Sequence, residues 1–283
     1  MKEKTLDKDK VLSANRVVHA FLADSGEYEK SPHFRQENQE KVSSILKRLT
    51  KRLNKKVNLL DLGCGTGFIP SLSHSLFEHI VGVDITEEMM KKVDLSPGNI
   101  SLYNCVAENT PFDDGSFDMV TAYSFIDHLI DYTAVLKEAH RVLSNGGIFY
   151  ADLNPNRAFI SEMEELLVSD GIESLSPLLK REINGALNNG DYYEDKYGLD
   201  SNTLQDAEPG KTLGKGFDAN EVADIASHIG FSKVEIEFEW FVDQGHWVNQ
   251  EKNGNSEIVE RYLQSLLPST SRYYKYLRFI FVK

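Results

Sequence analysis

The sequence predicts a doubly wound α/β fold, and three observations predict it. Short apolar runs alternate with helical patterns from Val57 to Leu153, the first run ends in a glycine-rich turn, and 283 residues suffice for one large core with additions. Such alternation calls for a mostly parallel sheet covered by helices on both faces.

Each element has its own signal. Val42, Ile45, Leu46, Leu49 and Leu53 recur at helical spacing, so residues of about 32 to 53 read as an amphipathic helix ahead of the first strand. Val57 to Leu62 is a buried strand that feeds the turn. His79 to Asp84 follows as a strand, Thr86 to Val93 as a helix with Thr86 as cap, and Asn99 to Asn104 as a third strand. Phe117 to Tyr123 is the fourth strand and Tyr132 to Leu143 a helix; after the Asn145-Gly146-Gly147 turn, Ile148 to Leu153 is the fifth strand. From Pro155 to about Gly216 the alternation stops, and an acidic stretch with helical pieces at Ser161 to Leu167 and Leu178 to Leu187 reads as an insertion or lid. Ala219 to Ile229 resumes as a helix, Lys233 to Phe241 as a strand, Ser256 to Leu266 as a helix and Tyr276 to Val282 as the seventh strand. The expected division is therefore an N-terminal helical cap (1–56), a core (57–155), an insertion (156–216) and a C-terminal completion of the sheet (217–283).

A formal charge of −13 opposes the counterion release that drives nucleic-acid binding, so no nucleic-acid partner is expected. The charged first ten residues lack the apolar core of a secretory signal and no run approaches membrane-spanning length, which reads as a cytoplasmic protein with no membrane partner. Cys64 and Cys105 are too few for a disulfide framework or a four-thiolate metal site and read as small buried residues. No His or carboxylate cluster has ligand spacing, so no metal is expected.

The chemistry begins at Asp61-Leu62-Gly63-Cys64-Gly65-Thr66-Gly67. Three glycines at alternate positions let the backbone turn sharply and approach a ligand, and the amides they expose at a helix start favour an anionic group. A nicotinamide dinucleotide is one candidate, but its fingerprint needs Gly or Ala where Phe68 stands. Seventeen residues after Gly67, Asp84 ends the second strand, where a carboxylate accepts from both hydroxyls of a ribose.

With Ala107-Glu108-Asn109-Thr110-Pro111-Phe112, Ser116-Phe117-Asp118 and Arg141-Val142-Leu143-Ser144-Asn145-Gly146-Gly147 added in order, the stretch Asn58 to Leu153 resembles class I S-adenosylmethionine-dependent methyltransferases. The resemblance implies a Rossmann-like seven-stranded sheet with its last strand antiparallel. It implies that Gly63, Cys64, Gly65 and Gly67 hold the methionine part of the cofactor and Asp61 its amino end. Asp84 would grip the ribose, Ile85 pack on adenine, and Ala107 and Glu108 border it, with Val106 standing where the family usually carries Asp. Tyr123 falls in the stretch that lines the floor between cofactor and acceptor in similar enzymes, and Tyr28 or Arg35, in the region of an N-terminal cap, would meet the cofactor carboxylate. A surface pairing of Arg35 with Glu37 or Glu40 is the plainer alternative.

His128, beside Asp127, has a pKa range suited to taking a proton from a hydroxyl or ammonium acceptor, with Asp127 orienting it; the bland alternative is a histidine that caps or packs the next helix. The basic run Lys47, Arg48, Lys51, Arg52, Lys55, Lys56 reads as a solvated helix end, with docking of an acidic carrier protein as the sharper alternative. Tyr192, Tyr193, Tyr197, Trp240, Phe241 and Trp247 read as core packing or as an acceptor pocket.

The reading is a methyltransferase that passes a methyl group to oxygen or nitrogen of a small-molecule acceptor, leaving S-adenosylhomocysteine. Its rivals are a cofactor-binding protein with other chemistry or a non-catalytic partner role, and a nicotinamide oxidoreductase.

Overall fold

A computed structural model of the chain describes residues 7–26, 35–187, 194, 198, 200–246 and 255–283. Seven strands form one sheet in the order β3-β2-β1-β4-β5-β7-β6. They are β1 (Asn58–Leu62), β2 (His79–Asp84), β3 (Ile100–Asn104), β4 (Phe117–Tyr123), β5 (Leu143–Pro155), β6 (Lys233–Phe241) and β7 (Tyr274–Val282). β1 pairs parallel with β2 and β4, β2 with β3, and β4 with β5, while β7 runs antiparallel to β5 and β6. This is the Rossmann-like sheet with an inverted last strand that the motifs implied.

Period-two alternation splits the strands' side chains between two cores. Leu60, Leu62, Phe149, Ala151, Phe279 and Phe281 pack on one face of the sheet, with Val135, Leu136 and Ala139 of helix α5 (Tyr132–Val142). Leu59, Ile148, Tyr150 and Ile280 pack on the other, with Val42, Leu46 and Leu49 of α2 (Gln36–Thr50). The remaining helices are α1 (Lys8–Asp24), α3 (Phe68–Ser73), α4 (Glu87–Met90), α6 (Arg157–Asp170), α7 (Pro177–Leu187), α8 (Ser201–Ala207), α9 (Pro209–Thr212), α10 (Ala219–Ile229) and α11 (Asn255–Ser265).

The structure differs from expectation mainly at boundaries. β5 begins at Leu143, directly after α5, and its register against β7 shifts between Ala151 and Asn154, where Leu153 has φ +59°. α6 starts four residues earlier than its apolar pattern, because the Asn156 side chain caps it by accepting from the Ala158 amide. α4 is only Glu87–Met90, and the Thr86 hydroxyl makes no capping bond.

The basic run has an intramolecular partner. Glu235, Glu237 and Glu239 alternate along β6 and pair in turn with Arg52 (2.7 Å), Arg48 (3.2 Å) and Lys41. Lys47, Lys51, Lys55 and Lys56 are exposed. Trp240 and Phe241 are buried, with Lys41 over the Trp240 ring at 5.7 Å; Tyr192, Tyr193, Tyr197 and Trp247 lie outside the described residues.

The chain runs outward from β1 to β2 and β3, then returns to β4 and proceeds the other way to β5. That reversal between β1 and β4 leaves a crevice at the carboxyl ends of the strands, the place where open α/β sheets bind ligands. No described helix is long and apolar enough to cross a membrane.

Candidate active site

The carboxyl ends of β1, β2 and β4 open into a cavity of about 670 Å³, roofed by α1 and walled on the far side by α6, α7, α9 and the start of β7. The glycine turn forms one wall. Gly63 has φ +68°, and a Cβ there would stand 2.2 Å from the Phe125 ring. Gly67 has φ +90° but turns the other way, where a Cβ would meet Val93 at 2.9 Å. Gly63, Cys64 and Gly65 line the cavity, whereas Gly67, expected beside them, does not; it caps α3.

Asp84 clips this turn to β2. One carboxylate oxygen accepts from the Gly65 amide (2.9 Å) and the other from the Thr86 amide (2.8 Å), and the carboxylate borders the cavity. Burial raises its pKa, and the Thr86 and Gly65 amides, the Thr86 hydroxyl and His128 pull it back. Asp61, at the end of β1, accepts from the Thr121 hydroxyl at 2.6 Å; burial pushes it up to about 7, with Asp84 adding repulsion. Two carboxylates thus face one space, where a cation or a set of hydroxyls would satisfy both.

Ile85, Met89, Val106, Ala107, Glu108 and Leu129 line the next stretch of wall. The loop that carries Ala107 and Glu108 is held by one node, in which Glu138 accepts from the Thr110 amide (2.7 Å) and hydroxyl (2.6 Å) and pairs with Arg141 (2.7 Å). Arg141 also donates to the Phe112 carbonyl at 2.8 Å. The Pro-Phe motif and the Arg-Val-Leu motif are therefore two halves of one support.

Sequence reasoning missed most of the roof. Leu12, Asn15, His19 and Leu22 of α1 line the cavity, and their spacing of three, four and three was a legible helical signal. Arg16 donates to the Ile85 carbonyl (3.2 Å), Lys8 pairs with Glu108 (3.3 Å) and Lys10 with Asp206 (2.6 Å), so the helix is fastened to both sides of the opening. Of the residues proposed from this region, Tyr28 lies outside the described residues. Arg35 is exposed at the N-cap of α2 and does not line the cavity.

Tyr123 lines the floor. Its hydroxyl accepts from the Asn38 amide at 2.7 Å, its ring lies 4.6 Å from that of Phe68, and burial raises its pKa. Phe68, the residue that breaks the dinucleotide fingerprint, thus serves the same wall.

At the other end, a single 3-10 turn, Ile126–His128, brings Asp127 and His128 into the cavity. His128 Nδ1 lies 2.9 Å from the Ala207 carbonyl, which can only accept, so Nδ1 carries the proton and Nε2 is the free end. His19 Nε2 stands 3.4 Å from the same Nδ1. Burial lowers the His128 pKa, but Asp127, Glu208, the Ala207 carbonyl and Asp84 raise it further, to a net value above the ordinary one. Burial and His128 together hold His19 well below it. Asp127 is raised by burial, against His128. Beyond this pair the wall is charged in a way no local motif announced, with Arg181, Glu182, Glu208, Lys211, Asp243 and Lys275.

Comparison with known proteins matches residues 60–151 to a methyltransferase domain family. A demethylmenaquinone methyltransferase of Staphylococcus epidermidis is 38% identical over 105 residues, 35% of this chain and 44% of that protein. The Staphylococcus saprophyticus enzyme of the same name is 34% identical over 148 residues, 50% of this chain and 63% of that one. A ubiquinone biosynthesis O-methyltransferase of Idiomarina loihiensis is 28% identical over 54% of this chain and 64% of its own. The chain thus matches less than two thirds of the length of these curated relatives. Among solved structures, a SAM-dependent methyltransferase from Archaeoglobus fulgidus shares the fold with a TM-score of 0.51, 17% identity and coverage of 87% of this chain and 94% of that one. A Thermotoga maritima SAM-dependent methyltransferase, titled a possible histamine N-methyltransferase, does so with a TM-score of 0.52, 17% identity and coverage of 94% and 98%. The matched segment runs from β1 to β5 and contains the glycine turn, Asp84 and the Glu138–Arg141 node, so residues 60–151 match a methyltransferase domain and are similar to S-adenosylmethionine-dependent methyltransferases.

Proposed function

We propose that the protein transfers a methyl group from S-adenosylmethionine to oxygen or nitrogen of a small-molecule acceptor enclosed in this cavity. The observation that carries the reading is convergence: the glycine turn, Asp61, Asp84 and the Ala107–Glu108 loop border one end of a space whose other end holds Asp127 and His128. Its volume, about 670 Å³, falls inside the range of small-molecule sites, roughly 300–1,000 Å³.

The donor and acceptor set fits the cofactor. The Asp61 carboxylate suits an ammonium, the Asp84 carboxylate at the cavity wall suits ribose hydroxyls, and Ile85, Met89, Val106 and Leu129 offer an apolar slot for a flat base. Acidic walls also suit a sulfonium cation. When bound, the cofactor supplies an activated methyl group on a strong leaving group. What remains for the protein is to orient the acceptor, exclude water and, for a protonated acceptor, remove a proton. Nε2 of His128 is the base placed for that task, with Nδ1–H held on the Ala207 carbonyl. The charged wall at the acceptor end favours a polar metabolite over a long apolar chain.

Calorimetric titration with S-adenosylhomocysteine should show saturable binding and no response to NAD(H). Cofactor consumption over fractionated metabolites should then yield a product heavier by one methylene. Binding of NAD(H) without S-adenosylhomocysteine would overturn the reading. Binding of S-adenosylhomocysteine with no turnover across all fractions would favour the non-catalytic alternative.

A further inference from the structure

Among the described residues, the Asp127–His128 end of the cavity contains one buried polar atom without a hydrogen-bond partner. Asp127 is 8% exposed, and its Oδ1 accepts no hydrogen bond although the residue lines the cavity. A buried carboxylate oxygen left unsatisfied is costly and calls for a ligand. The cations on the same wall are already engaged: Arg181 with Asp243 (2.9 Å), Lys275 with Glu182 (2.6 Å) and Lys211 with Glu208 (3.6 Å). Asp127 faces Glu208 and Lys211 of the same wall and Tyr276 of β7, and its immediate neighbour His128 places Nε2 at 3.9 Å from Oδ1, too far for a hydrogen bond.

That separation is informative. Both atoms are acceptors when His128 is neutral with its proton on Nδ1, and a donor placed about 2.9 Å from each would see them roughly 85° apart. An ammonium nitrogen has the N–H bonds to serve both at once. A hydroxyl carries a single proton and leaves one of the two unpaired, and a carbon acceptor serves neither. The pair is also held rigidly, since α9 rests directly on it: a Cβ on Gly210 would stand 2.8 Å from the Asp127 Cα.

Building on the methyltransferase reading, we propose that the acceptor is an amine that enters as its ammonium form, seated between Asp127 Oδ1 and His128 Nε2. One N–H bond gives its proton to Nε2, which makes His128 an imidazolium. The nitrogen lone pair so freed forms the new N–CH₃ bond while the methyl–sulfur bond breaks, its electron pair remaining on sulfur. The product leaves as the methylated ammonium, and His128 returns its proton to water. Asp127 stays ionised throughout and offsets whichever cation is present.

The test uses the full chain saturated with S-adenosylhomocysteine and matched probe pairs of one shape, such as 2-phenylethylamine with 2-phenylethanol and histamine with imidazole-ethanol. Calorimetry should show at least one amine bound about tenfold or more tightly than its alcohol. Asp127→Asn should remove that preference and leave S-adenosylhomocysteine affinity unchanged, which separates this proposal from failure of the cofactor reading. Imidazole NMR should show the His128 pKa fall when the amine binds, because a second cation then competes for Asp127. The other groups facing His128, which are His19 of α1, Glu208 and Lys211 at α9, the Ala207 carbonyl and Asp84 of β2, are the same in both states. Alcohols that bind as well as amines, no amine bound from any pair, or an Asp127→Asn protein that keeps the preference would each overturn the proposal.

Discussion

Asp61→Asn should make the ligand-free protein more stable while weakening its hold on the cofactor. The Asp61 carboxyl is 2% exposed, and burial lifts it from 3.8 to about 7 despite the Thr121 hydroxyl that it accepts at 2.6 Å. Between those two values the folded chain keeps a proton that the unfolded chain has released. The folded state is therefore most favoured below the lower value and loses stability as pH rises through the window, by about 1.4 kcal/mol per unit. The loss levels off above the upper value at about 4 kcal/mol, of which about 3 kcal/mol falls above pH 5. Asparagine does not titrate and keeps a carbonyl oxygen for Thr121. Urea denaturation of both proteins should thus give a stability difference that grows by about 3 kcal/mol from pH 5 to pH 8. Calorimetry should show S-adenosylhomocysteine binding weakened about tenfold or more, as loss of a charge-assisted bond to its ammonium requires. A stability difference that stays flat with pH would refute the argument from burial; unchanged affinity would remove Asp61 from the cofactor site.

Three further outcomes follow from the same geometry. Asp84→Ala should weaken S-adenosylhomocysteine by roughly 1–3 kcal/mol and also lower the unfolding free energy, since that carboxylate holds the Gly65 and Thr86 amides; calorimetry and denaturation read the two effects separately. Gly63→Ala should cost roughly 1–3 kcal/mol in backbone strain, and more from displacing Phe125, with the loss visible in urea denaturation and in cofactor titration. Arg278→Met should destabilise by about 3–5 kcal/mol, because Asp152 (2.8 Å) would remain buried without its cation and Glu239 (2.6 Å) would keep only Lys41; a near-neutral result in denaturation would mean that the carboxylates relax to water.

The sheet and the glycine-turn end of the cavity were legible in the sequence because both rest on local rules. Short apolar runs bounded by turns located every strand, and Leu59 and Leu60, neighbours in one such run, enter opposite cores. The glycine turn was readable because positive φ at Gly63 and Gly65 demands glycine within a few residues of a strand end. Asp84 was readable because it ends the next strand, yet its bond to the Gly65 amide of the turn was not, since it joins residues 19 positions apart through tertiary geometry.

What only the folded chain decided is the Asp127–His128 end of the cavity. Asp127 and His128 were candidates by residue type, but the α1 helix that roofs them, and the Ala207 carbonyl that fixes the imidazole with Gly210 packed on Asp127, come from two distant segments. The same distance separates Arg48 and Arg52 from Glu237 and Glu235, so a run that looked like a free basic face became a set of pairs across the sheet. Local sequence determines backbone conformation and which face a side chain takes, whereas the partner that a buried charge meets is set by chain crossings with no short-range signature.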